Sequence, residues 1–263
     1  MCERGDEALF SKMTKKNLIP KIIVVPEGQQ LAEAGAALFE KTVADAVQNR
    51  GQAAAALSGG STPREMNRLL ARPPYVHRIP WKCLHLFWVD DRMVPVDDPA
   101  SNFGAARDDF ISRVPIPQQQ VHPMPVLDPP IRGADRYTRE LKDYFGSNPP
   151  NFDLILLGLG TDGHTASLFP HKDDTHQGPE WVLSAKGGNP DVYRLTLNYP
   201  VLNRARTTAF LVSGRSKAEM VRTLICDAEI RYPPQRICPE GGQLIWLLDQ
   251  SAASLLPEDM CSM

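Results

Sequence analysis

Along this chain, short apolar runs alternate with stretches whose apolar residues recur at helical spacing. KIIVV at 21–25 reads as a first strand. Over residues 29–50, Leu31, Ala34, Leu38, Val43, Ala46 and Val47 fall on one helical face, and Gly51 follows as a stop. Residues 53–57 form a second buried strand. A helix over 64–71 is entered through Pro63, with Ser61 or Thr62 as its N-cap. LHLFWV at 84–89 is a third strand, Ser101 caps a helix over 102–113, and 134–145 has helical spacing again. FDLILL at 152–157 is continuously apolar after one acid, as expected of a central parallel strand covered on both faces. Strands follow at 193–197 and 207–212, then a helix from Lys217 to about Arg231, a strand at 243–248 and a small helical tail. This alternation predicts an α/β protein with a mostly parallel sheet. Nothing divides the chain internally, so residues 21–263 are expected as one domain behind an N-terminal leader, residues 1–20.

Composition narrows the picture. Hydrophobic residues make up 42% and charged residues 23% of the 263, which argues against disorder. Lys and Arg number 29 against 31 Asp and Glu, a net charge of −2, which excludes a globally basic nucleic-acid binder but not a local basic pocket. Five cysteines, with no CxxC, favour free thiols in a reducing compartment. No apolar run approaches the ~18 residues of a membrane helix, and the stretch after Lys12, Lys15 and Lys16 is too short for a signal peptide. A cytoplasmic monomer with no membrane, nucleic-acid or obligate protein partner is expected. Prolines number 24, nearly twice the usual ~5%, and are scattered, which points to short elements with stiff connections.

The chemistry-bearing segments each follow a strand, where ligands of such sheets bind. In SGGSTP at 58–63, Gly59 and Gly60 let backbone approach a ligand, while Ser61 and Thr62 add hydroxyl donors at a helix start. That suits a phosphate, although a plain helix entry has the same pattern. No GK[ST] follows, so it is not a Walker loop. Asp90-Asp91-Arg92 is either a solvated strand exit or places Arg92 to grip an anion bidentately. Lys217, near a helix start, is a second cation of this kind. Gly158, Gly160 and Gly163 satisfy GxGxxG after a strand, but Asp162 and His164 would crowd a pyrophosphate; a carboxylate and an imidazole two residues apart point to acid–base chemistry instead. His77, His85, His122, His171 and His176 form no ligand pair, so no metal is expected, and His85 reads as a packing residue.

LSGGSTP at 57–63, VDDRMVP at 89–95 with SNFG at 101–104, and above all FDLILLGLGTDGHTASLFP at 152–170 resemble the glucosamine-6-phosphate isomerase/6-phosphogluconolactonase family, on its lactonase side. RLTLNYPVLNRAR at 194–206 and VSGRSKAEMV at 212–221 continue in the same order. The resemblance implies a single-domain, mostly parallel Rossmann-like sheet flanked by helices, no cofactor, and a sugar-phosphate lactone as substrate in the oxidative pentose phosphate pathway. It implies His164 as the base that activates water, with Asp162 beside it. It places the phosphate among Gly59, Gly60, Ser61, Thr62, Arg92 and Lys217, with Asn102, Gly163 and Arg194 as further substrate contacts. Backbone donors of the turn over 158–163, or a nearby cation, would then meet the oxyanion. Related deaminases carry a different stretch, with a glutamate, where this chain has Ser167, Leu168, Phe169 and Pro170. The lactonases usually show Asp-Glu-Arg at 90–92, so the shorter Asp91 weakens any direct role for the middle carboxylate. The competing expectations are a glucosamine-6-phosphate deaminase/isomerase and a non-catalytic sugar-phosphate sensor.

Overall fold

A computed structural model describes residues 19–170, 178–227 and 229–260. The expected leader up to residue 18, His171 and His176 lie outside the described residues, as do Cys2 and Cys261. The strands are β1 (Lys21–Val25), β2 (Ala53–Leu57), β3 (Leu84–Trp88), β4 (Asp90–Arg92), β5 (Val121–His122), β6 (Leu154–Leu157), β7 (Val182–Gly187), β8 (Val192–Leu197), β9 (Thr207–Val212) and β10 (Gln243–Asp249). The α-helices are α1 (Gly28–Arg50), α2 (Ser61–Leu70), α3 (Tyr75–Arg78), α4 (Asn102–Asp109), α5 (Pro130–Phe145), α6 (Tyr199–Leu202), α7 (Ala218–Cys226) and α8 (Gln250–Ala253).

Seven strands form one parallel sheet in the order β1-β10-β9-β6-β2-β3-β5. From β2 the chain builds outward through β3 and β5. It then returns to place β6 on the other side of β2 and builds the opposite way through β9 and β10. The crevice between β2 and β6 is therefore the point where the winding reverses, the place where open parallel sheets bind ligands beyond the carboxyl ends of their strands. All residues of β2 and β6 are buried, consistent with helices on both faces. The acid before β6 sets its register. Asp153 accepts the Ala54 N–H (2.9 Å) and the Arg50 guanidinium (2.6 Å), tying the entry of β6 to that of β2.

A small antiparallel sheet, β4-β8-β7, stands beside the large one. It corrects the sequence reading at three places. The strand expected at 193–197 exists, but in this sheet. The charged triplet 90–92 is itself a strand, and β7 was not anticipated because Ser184 and Lys186 dilute its apolar pattern. Helix ends also moved. The helix expected to Arg113 stops at Asp109, where Phe110 turns out of the helical region (φ −151°) and a 3₁₀ turn follows. The one expected to reach Arg231 stops at Cys226. Helix α5 starts four residues early, because Pro130 suits its first turn.

At the far edge, His85 of β3, His122 of β5 and Glu140 of α5 form a hydrogen-bonded row, with His85 Nδ1 3.0 Å from His122 Nε2 and His122 Nδ1 2.8 Å from Glu140 Oε1. The packing role expected of His85 holds, its ring lying against Tyr144 as well. Burial, then the charge of His122, pushes His85 down to about 4 from an ordinary 6.5. The unfolded chain therefore takes up this proton first. The stability due to neutral His85 is complete above about pH 6.5 and is lost as pH falls toward 4. Thermal midpoints measured over that window should fall less steeply in His85→Gln than in the wild type. Parallel curves would contradict this.

Candidate active site

Three loops meet at the switch point, those after β2, β6 and β9, and the small sheet supplies a fourth wall. They enclose a cavity of about 250 Å³ lined by Gly59, Gly60, Ser61, Thr62, Arg92, Asn102, His164, Arg194 and Lys217, together with Ser58, Asp90 and Ser213. Nine of the eleven residues expected at the site thus share one pocket, although they come from separate segments of the chain. Asp162 and Gly163 do not line it. Asp162 stands behind His164, and Gly163 makes the turn (φ 83°), where a Cβ would meet Tyr232 at 2.4 Å.

The loop after β6 carries the acid–base pair. Asp162 Oδ1 lies 2.5 Å from His164 Nδ1 and also accepts the His164 backbone N–H at 3.2 Å. Burial works against the Asp162 carboxylate, but the hydrogen bond and charge of His164 outweigh it and hold its pKa below the ordinary value. An ionised Asp162 accepts the hydrogen bond of the Nδ1–H and leaves the Nε2 lone pair as the basic position. Gly160 is what makes this pairing fit. A Cβ there would lie 2.1 Å from His164 Nδ1 and 2.4 Å from Asp162 Oδ1. The turn spends its own donors internally, since Gly160 N–H binds the His164 carbonyl and Gly163 N–H the Gly160 carbonyl. With the His164 N–H also taken, these three cannot serve an oxyanion. Beyond His164 the chain is pinned to the small sheet. Ser167 Oγ donates to Asp90 Oδ2 (2.7 Å), its N–H binds Thr196 Oγ1, and Ala166 turns with φ 52°.

The loop after β2 enters α2 differently from the sequence expectation. Neither Ser61 nor Thr62 is the N-cap. Gly60 holds that position with φ 114°, and Ser61 is the first helical residue. Pro63 has no N–H and that of Arg64 binds Gly60 O at 3.3 Å, so the Ser61 and Thr62 N–H groups are the first-turn donors without an intrahelical partner, available to an anion. Ser58 Oγ, buried at the head of this loop, has no hydrogen-bond partner among the described residues.

Arg92 and Arg194 are register partners across β4 and β8. Like charges placed opposite one another are unfavourable, so this pairing suits a bound anion. Both are held by carbonyls. Arg92 Nη1 donates to Ala100 O (2.7 Å) and Asn102 Oδ1 (2.9 Å), while Arg194 donates to Gly187 O (2.7 Å) and Pro190 O (3.2 Å). Arg92 Nε has no partner among the described residues. Arg194 is only 2% exposed, and desolvation, then the charge of Arg92, lowers its pKa. Its guanidinium lies over Phe169, whose ring also packs on His164. Asn102 braces Arg92. Its amide donates to Asp90 O (2.8 Å), and its Oδ1 lies where a Cβ on Gly59 would intrude at 1.8 Å.

Asp91 has a structural task. Its carboxylate accepts the N–H groups of Arg92, Asn102 and Phe103, capping α4 and fixing Asn102. Burial pushes Asp91 up to about 6 against the pull of those donors. On the opposite wall, burial lowers the pKa of Lys217, countered by the charge of Asp162. Among the described residues, no group of three His, Cys, Asp or Glu side chains is placed to hold a metal, and no helix is long and apolar enough to cross a membrane.

A carboxylate-oriented imidazole opening into an arginine-lined pocket at the switch point of a parallel sheet defines an α/β enzyme for a small anionic ligand. The family described as glucosamine-6-phosphate isomerases/6-phosphogluconolactonase matches residues 26–246, and the chain belongs to it. A 6-phosphogluconolactonase of Synechocystis is 40% identical over 245 residues, covering 91% of this chain and 99% of that protein. The solved 6-phosphogluconolactonase from Trypanosoma cruzi superposes with a TM-score of 0.81 at 28% identity, covering 92% of this chain and 98% of that one. A monomeric glucosamine-6-phosphate deaminase shares the fold alone, at a TM-score of 0.75 and 20% identity over 89% of this chain and 99% of that one.

Asp90, Ser167, Phe169 and Asp249 were missed as site-building residues. Asp90, Ser167 and Phe169 lie inside marked motifs without a site role having been read from them, whereas no local pattern marks Asp249; the partners of all four lie on other segments of the chain.

Proposed function

We propose that this chain hydrolyses 6-phosphoglucono-1,5-lactone to 6-phosphogluconate, the lactone-opening step of the oxidative pentose phosphate pathway. The observation that carries the reading is the Asp162–His164 pair at 2.5 Å, set in a pocket with three cations. His164 Nε2 takes a proton from water as the water attacks C1. The tetrahedral intermediate then collapses with cleavage of the C1–O5 ring bond, and the imidazolium returns the proton to the departing O5, which leaves as the hydroxyl of the open-chain acid. The phosphate, at the far end of the substrate, is held by the residue 59–62 loop, Arg92 and Lys217, so that remote binding fixes the carbonyl against the base. Arg194, which shares the Phe169 ring with His164, is the fixed cation we assign to the developing oxyanion. The acyl group needs no covalent intermediate, since water attacks directly. The sparse cysteines fit a cytoplasmic setting, and a cofactor has no part in these steps.

The test is the purified chain with fresh lactone, followed through a 6-phosphogluconate dehydrogenase couple above the spontaneous rate. Ammonia release from glucosamine 6-phosphate, without lactone loss, would instead favour the deaminase. Thermal stabilisation by sugar phosphate without turnover would favour the sensor. Arg92→Ala should raise KM for the phosphorylated lactone about 10–100-fold, the equivalent of one lost charge-assisted hydrogen-bonded contact. Glucono-1,5-lactone should be affected less than twofold, and equal effects on the two would remove Arg92 from the phosphate.

A further inference from the structure

Lys217 reaches the pocket from a short loop, and the group that fixes this loop comes from a strand that contributes nothing else to the site. Asp249 ends β10, next to β9 in the large sheet. Its carboxylate is 5% exposed and has no cation against it among the described residues. It is satisfied by dipoles instead. Ser213 Oγ donates to Oδ2 at 2.5 Å, and the Gly214 N–H lies 3.1 and 3.0 Å from its two oxygens. The Ala252 N–H binds Oδ1 at 2.7 Å, capping α8. Gly214 stands at φ 97°, which favours glycine, and its carbonyl accepts the Lys217 N–H at 3.0 Å. Carboxylate, Gly214 peptide and Lys217 backbone are thus joined in one turn, and Ser213 itself lines the pocket.

We infer that Asp249 is a positioning residue for the phosphate end of the substrate, acting through Ser213 and Gly214 on Lys217. An ionised buried carboxylate is costly unless hydrogen-bonded. This one is hydrogen-bonded to the loop that has to hold the lysine still. An α8 cap alone would need only the Ala252 contact; the Ser213 and Gly214 contacts are directed at the other loop. The inference rests on the lactonase reading for its substrate, but not for its geometry.

The experiment is a double-mutant cycle on the full chain. Asp249→Asn keeps one oxygen for the Ala252 and Gly214 N–H groups but puts an NH2, which accepts no hydrogen bond, where Oδ2 takes the Ser213 hydroxyl and the second Gly214 contact. It should raise KM for 6-phosphogluconolactone about tenfold with kcat changed less than twofold. Lys217→Ala should raise KM further. The double variant should match Lys217→Ala within twofold, because Asp249 has then nothing left to position. Effects that multiply, an unchanged KM, or a loss confined to kcat would overturn the inference. If Asp249→Asn fails to fold, Ser213→Ala, which removes one hydrogen bond, takes its place in the same cycle. If the wild type does not hydrolyse the lactone, the proposed function fails. The cycle is then read by the thermal shift that 6-phosphogluconate produces, and the same non-additivity is expected there.

Discussion

His164→Ala should fold normally and lose about 10²–10⁴-fold in kcat for lactone hydrolysis, the range typical of a removed general base. The fold should survive because the imidazole is a loop side chain at the pocket rim, 29% exposed, and among the described residues its only hydrogen-bonded side-chain partner is Asp162. KM should change little, since the phosphate grip belongs to other residues. Partial rescue by added imidazole would show that the missing element is the proton acceptor rather than the loop. Near-wild-type turnover above the spontaneous background would remove His164 from the base role. Asp162→Asn serves as the companion, because an amide can no longer hold the Nδ1 proton as an ionised carboxylate does, so kcat should fall while His164 remains in place.

Gly160→Ala should cost about 10²-fold in kcat, through geometry alone. The added methyl would occupy the space of the pair, 2.1 Å from His164 Nδ1 and 2.4 Å from Asp162 Oδ1. The side chains can rotate away, so stability should change little, but rotation parts the imidazole from its carboxylate. Misplacing a catalytic group by about 1 Å can cost 10²-fold. The measurement is kcat beside a thermal midpoint. A variant with full activity would mean that the 2.5 Å contact is dispensable, and one that unfolds would mean the turn itself is the limiting feature. Neither result is expected from a glycine whose Cβ position faces only the side chains of His164 and Asp162 at closest approach.

Much of this site was legible in the chain. Each loop that lines the pocket follows an apolar run, and the residues marked there, from Gly59 to Lys217, are types suited to anions and proton transfer. The acid and histidine at 162 and 164 were visible as a pair, although spacing on a loop does not establish contact. The less visible parts were relational. Asp91 looked like one member of a charged triplet and proved to bind the first two N–H groups of α4, beside the Ser101 cap that the sequence marked. Asn102, expected as a substrate contact, lines the pocket and also holds Arg92, a contact the sequence did not show. Ser61 and Thr62 looked like caps, yet Gly60 occupies that place, and both residues line the pocket.

The sequence by itself determined six of the seven strands of the large sheet, its longer helices and the chemistry of the loops between them. Apolar runs with no polar face can only be buried strands in such an α/β chain, and glycines at strand ends mark where backbone must turn tightly. The tertiary structure decided the rest: the reversal of winding between β2 and β6, the antiparallel sheet that sets Arg92 against Arg194, and the reach of Asp249 across to the Lys217 loop. The physical reason is the same in each case. Burial and local turns are paid for within a few residues and leave a local pattern. A hydrogen bond between residues such as Ser213 and Asp249, 36 positions apart, depends on which strands lie side by side, and that is fixed only when the whole sheet assembles.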